Sequence, residues 1–81
     1  MDANDAEVFK RAFELYRHVA ADVLPRLKGP LPLDVEEFVE ELKEALLDLK
    51  QATIDLDPAR ATYHIQEVLV LLRDLDDKMK G

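Results

Sequence analysis

Two short breaks containing proline divide this chain into three segments, and they constrain its fold more than any other feature. The breaks are Gly29–Pro32 and Asp55–Pro58. Within each segment the apolar residues recur every three or four positions, which is the period of an amphipathic α-helix. Connections this short join helices that lie antiparallel to each other. The sequence therefore predicts one all-α domain over residues 1–81, an up-down-up three-helix bundle with helices at about 4–27, 34–54 and 58–79.

Each predicted helix begins with a recognisable signal. A capping residue followed three positions later by glutamate, or by proline at the first helical position, marks a helix start. Leu33 and Phe38 have the spacing of a hydrophobic staple around the second start. Pro25 cannot donate a hydrogen bond to the Ala21 carbonyl and should kink or stop the first helix. The three start signals are Asn4 with Glu7, Asp34 with Glu37, and Asp57 followed by Pro58.

The apolar stripes of the three segments predict the core. The first helix has the widest apolar arc, so it should contact both of its neighbours. Large residues near its start should pack against small residues of the other two helices, as dense core packing requires. The residues predicted to be buried are Phe9, Phe13, Tyr16, Phe38, Leu42, Leu49, Ile65, Val68 and Leu72.

Composition and charge narrow the functional classes. The chain has no cysteine and a net charge of −7 at pH 7, which disfavours thiolate chemistry, general nucleic-acid binding and adsorption to anionic membranes. No apolar run approaches the ~20 residues of a membrane span, and no targeting signal is visible at the start. We expect a soluble chain, cytoplasmic or recombinant in origin, that needs no cofactor.

The chain offers few side chains for catalysis or metal binding. His18 lies on the polar face of the first helix, between Glu14 and Asp22, and a solvated polar face is the expected role. His64 lies at the edge of the third stripe, where it should face Thr53 across the loop, and we expect a hydrogen-bonded histidine at the core boundary. No nucleophile accompanies either histidine, so the sequence predicts no catalytic residue, no metal ligand and no enzyme.

Four apolar residues lie outside the main stripes and suggest a binding surface. Leu47 and Ile54 are seven residues apart on the second helix, and Tyr63 and Val70 are seven apart on the third. In an antiparallel hairpin, every pair of facing residues has the same sum of residue numbers. The pair Ile54 and Tyr63 has the same sum as the pair Leu47 and Val70, so both are predicted to be facing pairs. The pattern predicts one exposed apolar patch on the outer side of the second and third helices. Clustered exposed apolar residues often mark an interface.

The same register places polar residues around this patch. Gln51 and Gln66 share the sum, as do two oppositely charged pairs, Lys50 with Glu67 and Lys43 with Asp74. We call the predicted protein-binding surface the hairpin face. It consists of Leu47, Gln51, Ile54, Tyr63, Gln66 and Val70.

The chain combines three helix-start signals, three helices of similar predicted length and an acidic, cysteine-free composition. In these features it resembles de novo designed helical mini-proteins, including designed binders. Nearly every local signal agrees with one fold, as a designer intends. Pro25 inside a helix and the weakly specified end of the second helix depart from that style. They leave a small natural acidic domain as an alternative.

Four hypotheses for function remain open at this point. The first is a non-enzymatic module that binds another protein through the hairpin face. The second is a designed structural bundle without a ligand, and the third is a bundle that associates with a second copy of itself. The fourth is a natural acidic inhibitor that mimics the charge of nucleic acid.

Overall fold

The computed structural model describes residues 3–27 and 29–80, and it shows three helices and no strand in these ranges. Helix α1 spans Ala3–His18, α2 spans Leu33–Ile54 and α3 spans Pro58–Lys80. The molecule is an elongated bundle of 43 × 18 × 16 Å. The predicted all-α three-helix fold is confirmed.

Contacts at the helix ends establish the up-down-up order. The first turn of α2 meets the last turn of α3, where Lys78 Nζ lies 3.1 Å from Asp34 Oδ2. The last turn of α2 carries Ile54, which lies beside Phe9 near the start of α1. Both α1 and α3 are therefore antiparallel to α2. The short connections between successive helices allow no other simple arrangement.

Pro25 changes the end of the first helix as the sequence predicts, because the regular α-helix stops before it. After His18 the chain continues as a π-helical segment, Val19–Val23, and then as a 3₁₀ segment, Leu24–Leu27. The Leu24 N–H donates to the Val19 carbonyl, five residues earlier. Pro25 has no N–H to donate, and its ring clashes with a normal α-helical turn before it. The π turn allows the residues before the proline to keep their own backbone hydrogen bonds.

The start of α2 differs from the prediction. Pro32, with φ −56° and ψ 148°, precedes the helix, and no side chain caps it. Asp34 lies inside the first turn, where its Oδ1 accepts a hydrogen bond from the adjacent Val35 N–H at 3.0 Å. Leu33 is exposed, so it forms no staple with Phe38. The capping box predicted at Asp34 is wrong because the extended backbone of Pro32 already begins the helix.

Asp34 contacts α3 instead of capping α2. Its other carboxylate oxygen accepts the hydrogen bond from Lys78, and this bond, together with the lysine charge, holds the pKa of the Asp34 carboxyl below its usual range. The Lys78 ammonium also lies 5.3 Å from the centre of the Phe38 ring, within the range of a cation–π interaction. These contacts join the first turn of α2 to the last turn of α3.

Helix α1, as described, begins at Ala3, so Asn4 lies inside its first turn and does not precede the helix. Glu7 pairs with Arg11 one turn later, with 3.8 Å between Glu7 Oε1 and Arg11 Nε. The capping box predicted for this helix is therefore not the observed arrangement. Asn4 and Glu7 belong to the helix itself.

The connection between α2 and α3 closes tightly without glycine. Leu56 adopts a left-handed conformation, with φ 53°. The Leu56 N–H donates to the Thr53 carbonyl, and the Asp57 N–H donates to the Ala52 carbonyl, which is the hydrogen-bond pattern of a Schellman motif. Asp57 Oδ1 then accepts from the Arg60 N–H at 3.1 Å. The predicted cap of α3 is confirmed.

Helix α2 supplies most of the buried core, which agrees with its continuous apolar stripe. Leu42 and Leu49 of α2, Val19 of the π segment and Val68 of α3 are the largest fully buried side chains. Helix α1 contributes only Ala12, and this small residue lets its backbone approach the other helices. The remaining buried residues are Val35, Val39, Ala45, Leu46, Ala52, Ala61 and Leu75.

The predicted core is correct for its aliphatic centre and wrong for one aromatic residue. Leu42, Leu49 and Val68 are buried. Phe13 is 64% exposed, because it lies about 100° around the helix from Ala12, which faces the core. The other five residues are only partly buried and pack at the edge of the core: Phe9, Tyr16, Phe38, Ile65 and Leu72.

Candidate functional site

The structure exposes all four apolar residues of the hairpin face. Leu47, Ile54 and Tyr63 are 62%, 61% and 65% exposed, and Val70 is 49% exposed. Gln51 and Gln66 are exposed as well. Gln51 uses its amide to donate a hydrogen bond to Asp55 Oδ1 at 2.9 Å. The predicted exposure is confirmed.

The structure does not bring the six residues together on one side of α2 and α3. The side of α2 that faces α3 carries Glu41, Glu44 and Asp48, which share a cleft with Glu67 and Leu71 of α3. Ile54 lies on the opposite side of α2, next to α1. Leu47, seven residues earlier, is on that same side by helical periodicity. The hairpin face is therefore divided between two separate surfaces.

The ion pairs predicted beside the hairpin face do not form either. Lys43 pairs with Glu40 on its own helix, with 3.5 Å between Nζ and Oε1. Glu67 pairs with His64, again on its own helix. Lys50 lies on the α1 side of α2, away from Glu67. Residues that the predicted register places at equal height therefore lie on different sides of the two helices.

An apolar groove lies between α1 and α2. It has a volume of about 420 Å³. Phe9, Phe13 and Tyr16 form its α1 wall, and Thr53 and Ile54 contribute to its α2 wall. We call it the α1–α2 groove, and its remaining lining residues are Ala12, Leu49 and Lys50.

Phe13 is the residue of this groove whose predicted burial is wrong. The broad apolar arc of the first helix made every aromatic residue look like part of the core. Ala12 and Val19 are seven residues apart and both fully buried, so they mark the true inward direction of this helix. That small-residue pair in the sequence was the available signal that Phe13 points to the side.

A second cleft lies at the other end of the bundle, between α1 and α3. It has a volume of about 350 Å³ and is bordered by His18, Asp22, Leu72, Asp76 and Met79, among others. His18 Nδ1 lies 3.1 Å from Asp22 Oδ2, and both side chains are largely exposed. The predicted solvated polar face around His18 is confirmed.

His64 forms its hydrogen bond within its own helix. Its Nδ1 lies 3.2 Å from Glu67 Oε1, while the Thr53 hydroxyl donates to the Lys50 carbonyl of α2. The His64 side chain is only 14% exposed, and the Tyr63 ring packs edge-on against it with 5.2 Å between ring centres. The prediction of a hydrogen-bonded histidine at the core boundary is correct.

Comparisons with known proteins do not add to this description. No known protein-family model matches the chain, and no curated protein or solved structure is significantly similar to it. Among the described residues, no helix combines the length and apolar character needed to cross a bilayer. The class defined by the structure is the all-α three-helix bundle.

Proposed function

We propose that this chain is a non-enzymatic protein-binding module, and that it binds an amphipathic helix of another protein in the α1–α2 groove. The observation that carries the proposal is the exposure of Phe13 and Ile54 on opposite walls of one apolar groove. Two large apolar side chains placed together at the surface gain free energy when a partner covers them.

The shape of the groove favours a helix as the bound element. Its walls are two antiparallel helices, and a third helix laid between them would pack by the same geometry as the helices of a bundle. Phe13 would supply the aromatic anchor that dominates many interfaces. Ile54 and Leu47 would extend the contact along α2 by two helical turns. Of the six residues of the hairpin face, this proposed interface uses Ile54 and Leu47, and residues of α1 supply its other wall.

The charges near the groove favour a partner with basic residues at its edge. The chain has a net charge of −7. Glu40 lies seven residues before Leu47 on α2 and is exposed. Lysine or arginine flanking the apolar stripe of the partner would be attracted to this carboxylate and to the acidic surface as a whole, which speeds association. The resemblance to designed mini-proteins supports the same proposal, since designed binders are often small bundles that present one helical surface.

The experiment selects helical peptides from a display library with leucine stripes and lysine or arginine flanks, and measures affinity for the purified chain. Phe13→Glu and Ile54→Glu should each weaken the selected peptide by at least about ten-fold, because they bury a charge without a partner. Val70→Glu is the matched control. It replaces an exposed apolar residue outside the groove and should change affinity by less than about two-fold.

Three outcomes would overturn the proposal. The first is a library that yields no binder. The second is a loss of affinity as large for Val70→Glu as for the groove variants, which would indicate that the peptide binds to the outer surface of α3. The third is a dimer by light scattering that Phe13→Glu converts to a monomer, since a second copy would then occupy the groove. Circular dichroism of each variant verifies that the helices remain.

A further inference from the structure

Three potential metal ligands converge on the side of the bundle opposite the α1–α2 groove. They are Asp48 of α2 and His64 and Glu67 of α3, and one ligand atom from each lies within 4.8 Å of the other two. His64 Nδ1 and Glu67 Oε1 are already 3.2 Å apart. The three side chains come from two helices that only the folded chain brings together.

The distances suit a single ion after a small adjustment. Zinc binds nitrogen and oxygen ligands at about 2.0–2.2 Å with tetrahedral angles, so two ligands of one ion lie roughly 3.5 Å apart. The observed limit of 4.8 Å exceeds this by about 1.3 Å, which rotation of a carboxylate side chain can close. Asp48 is exposed, and Glu67 is partly exposed, so both carboxylates have room to rotate.

The negative charges around these three side chains favour the binding of a cation. The cleft that contains Asp48 and Glu67 is also bordered by Glu41 and Glu44, and among the described residues no lysine or arginine lines it. The largely buried imidazole also packs edge-on against the Tyr63 ring. His64 and Glu67, three residues apart, project from the same side of α3, as paired ligands on helices do. An ion here would relieve repulsion among the carboxylates.

We propose that Asp48, His64 and Glu67 form a binding site for a divalent transition-metal ion of the zinc type. One imidazole nitrogen and two carboxylate oxygens leave at least one position for water. The ion would link α2 to α3 and would bind the folded state only, so it stabilises the bundle by linkage. This site and the α1–α2 groove share no residue, and either proposal can fail without the other.

The test uses the full chain, freed of metal with a chelator and titrated with Zn²⁺ by calorimetry and with Co²⁺ by absorbance. We expect one ion per chain and a rise in melting temperature with added Zn²⁺. Asp48→Asn, His64→Gln and Glu67→Gln should each weaken Zn²⁺ binding at least about ten-fold. The matched control is the double variant His18→Gln with Asp22→Asn, which removes the other histidine–carboxylate pair and should bind Zn²⁺ as the parent does.

The proposal is overturned if Zn²⁺ shows no saturable binding to the parent chain. It is also overturned if the three variants bind as the parent does, or if the control variant loses the ion. Asp48→Asn and Glu67→Gln preserve side-chain shape at accessible positions, so they remain informative if His64→Gln unfolds. Phe13→Glu should bind Zn²⁺ normally, which separates this result from that of the groove experiment.

Discussion

Replacing Leu42 by alanine is the most direct test of the packing described above. Leu42 is 0% exposed at the middle of α2. Leucine-to-alanine changes at buried sites cost about 2.7–5 kcal/mol, from lost transfer free energy and the cavity that remains. An entropy of unfolding of about 2.1 cal/mol/K per residue gives roughly 0.17 kcal/mol/K for a chain of this length. The melting temperature should therefore fall by at least about 16 °C.

Leu47→Ala is the matched control, since it makes the same chemical change on the same helix five residues later. Three fully buried carbon groups contribute roughly 2.4 kcal/mol. Leu47 keeps 62% of its surface exposed, so the alanine variant loses only about two fifths of that contribution. The expected cost is about 1 kcal/mol, or roughly 6 °C. Leu72→Ala, at a half-buried position, should fall between the two. Thermal unfolding followed by circular dichroism measures all three, and equal melting temperatures for Leu42→Ala and Leu47→Ala would refute the assigned core.

Two further predictions concern the helix ends. Asp57→Ala should cost about 1 kcal/mol in chemical denaturation because it removes the side-chain cap of α3; an unchanged midpoint would show that the cap contributes nothing. Titration of the Asp34 carboxyl by NMR should give a pKa below its usual range, and Lys78→Met should raise it. Because the folded-state pKa is lowered, the stability contributed by Asp34 is present above its unfolded pKa and is lost as the pH falls through the folded value. A pKa that does not respond to Lys78→Met would contradict the Asp34–Lys78 contact.

The two proposed sites divide the surface of α2 by chemistry. On its α1 side the helix presents Ile54 and Leu47, and on its α3 side it presents Glu41, Glu44 and Asp48. One side offers apolar area to a protein partner, and the other offers carboxylates to a cation. The hairpin face predicted from the sequence combined residues of both α2 and α3 because it assumed that equal height implies a common side.

Local signals in the sequence were reliable where one turn of chain contains all the interacting groups. Asp57 and Pro58 define the start of α3 without help from the rest of the molecule, and Pro25 alters the preceding turn through its own ring. Asp34 shows the limit of such signals. Its residue type fits a cap, but Pro32 supplies the helix start and Lys78, 44 residues away, takes the carboxylate.

The sequence by itself determined the number of helices, their approximate ends, the direction of each and the inward stripe of α2. These features follow from periodicity, proline positions and short connections, all of which are readable along one dimension. Only the tertiary structure decided which side of α2 faces α1 and which faces α3. A bundle of either hand buries the same stripes, so the apolar pattern does not distinguish the two arrangements. The placement of Ile54 beside Phe13, and of Asp48 beside His64, depends on that choice, and with it both candidate sites.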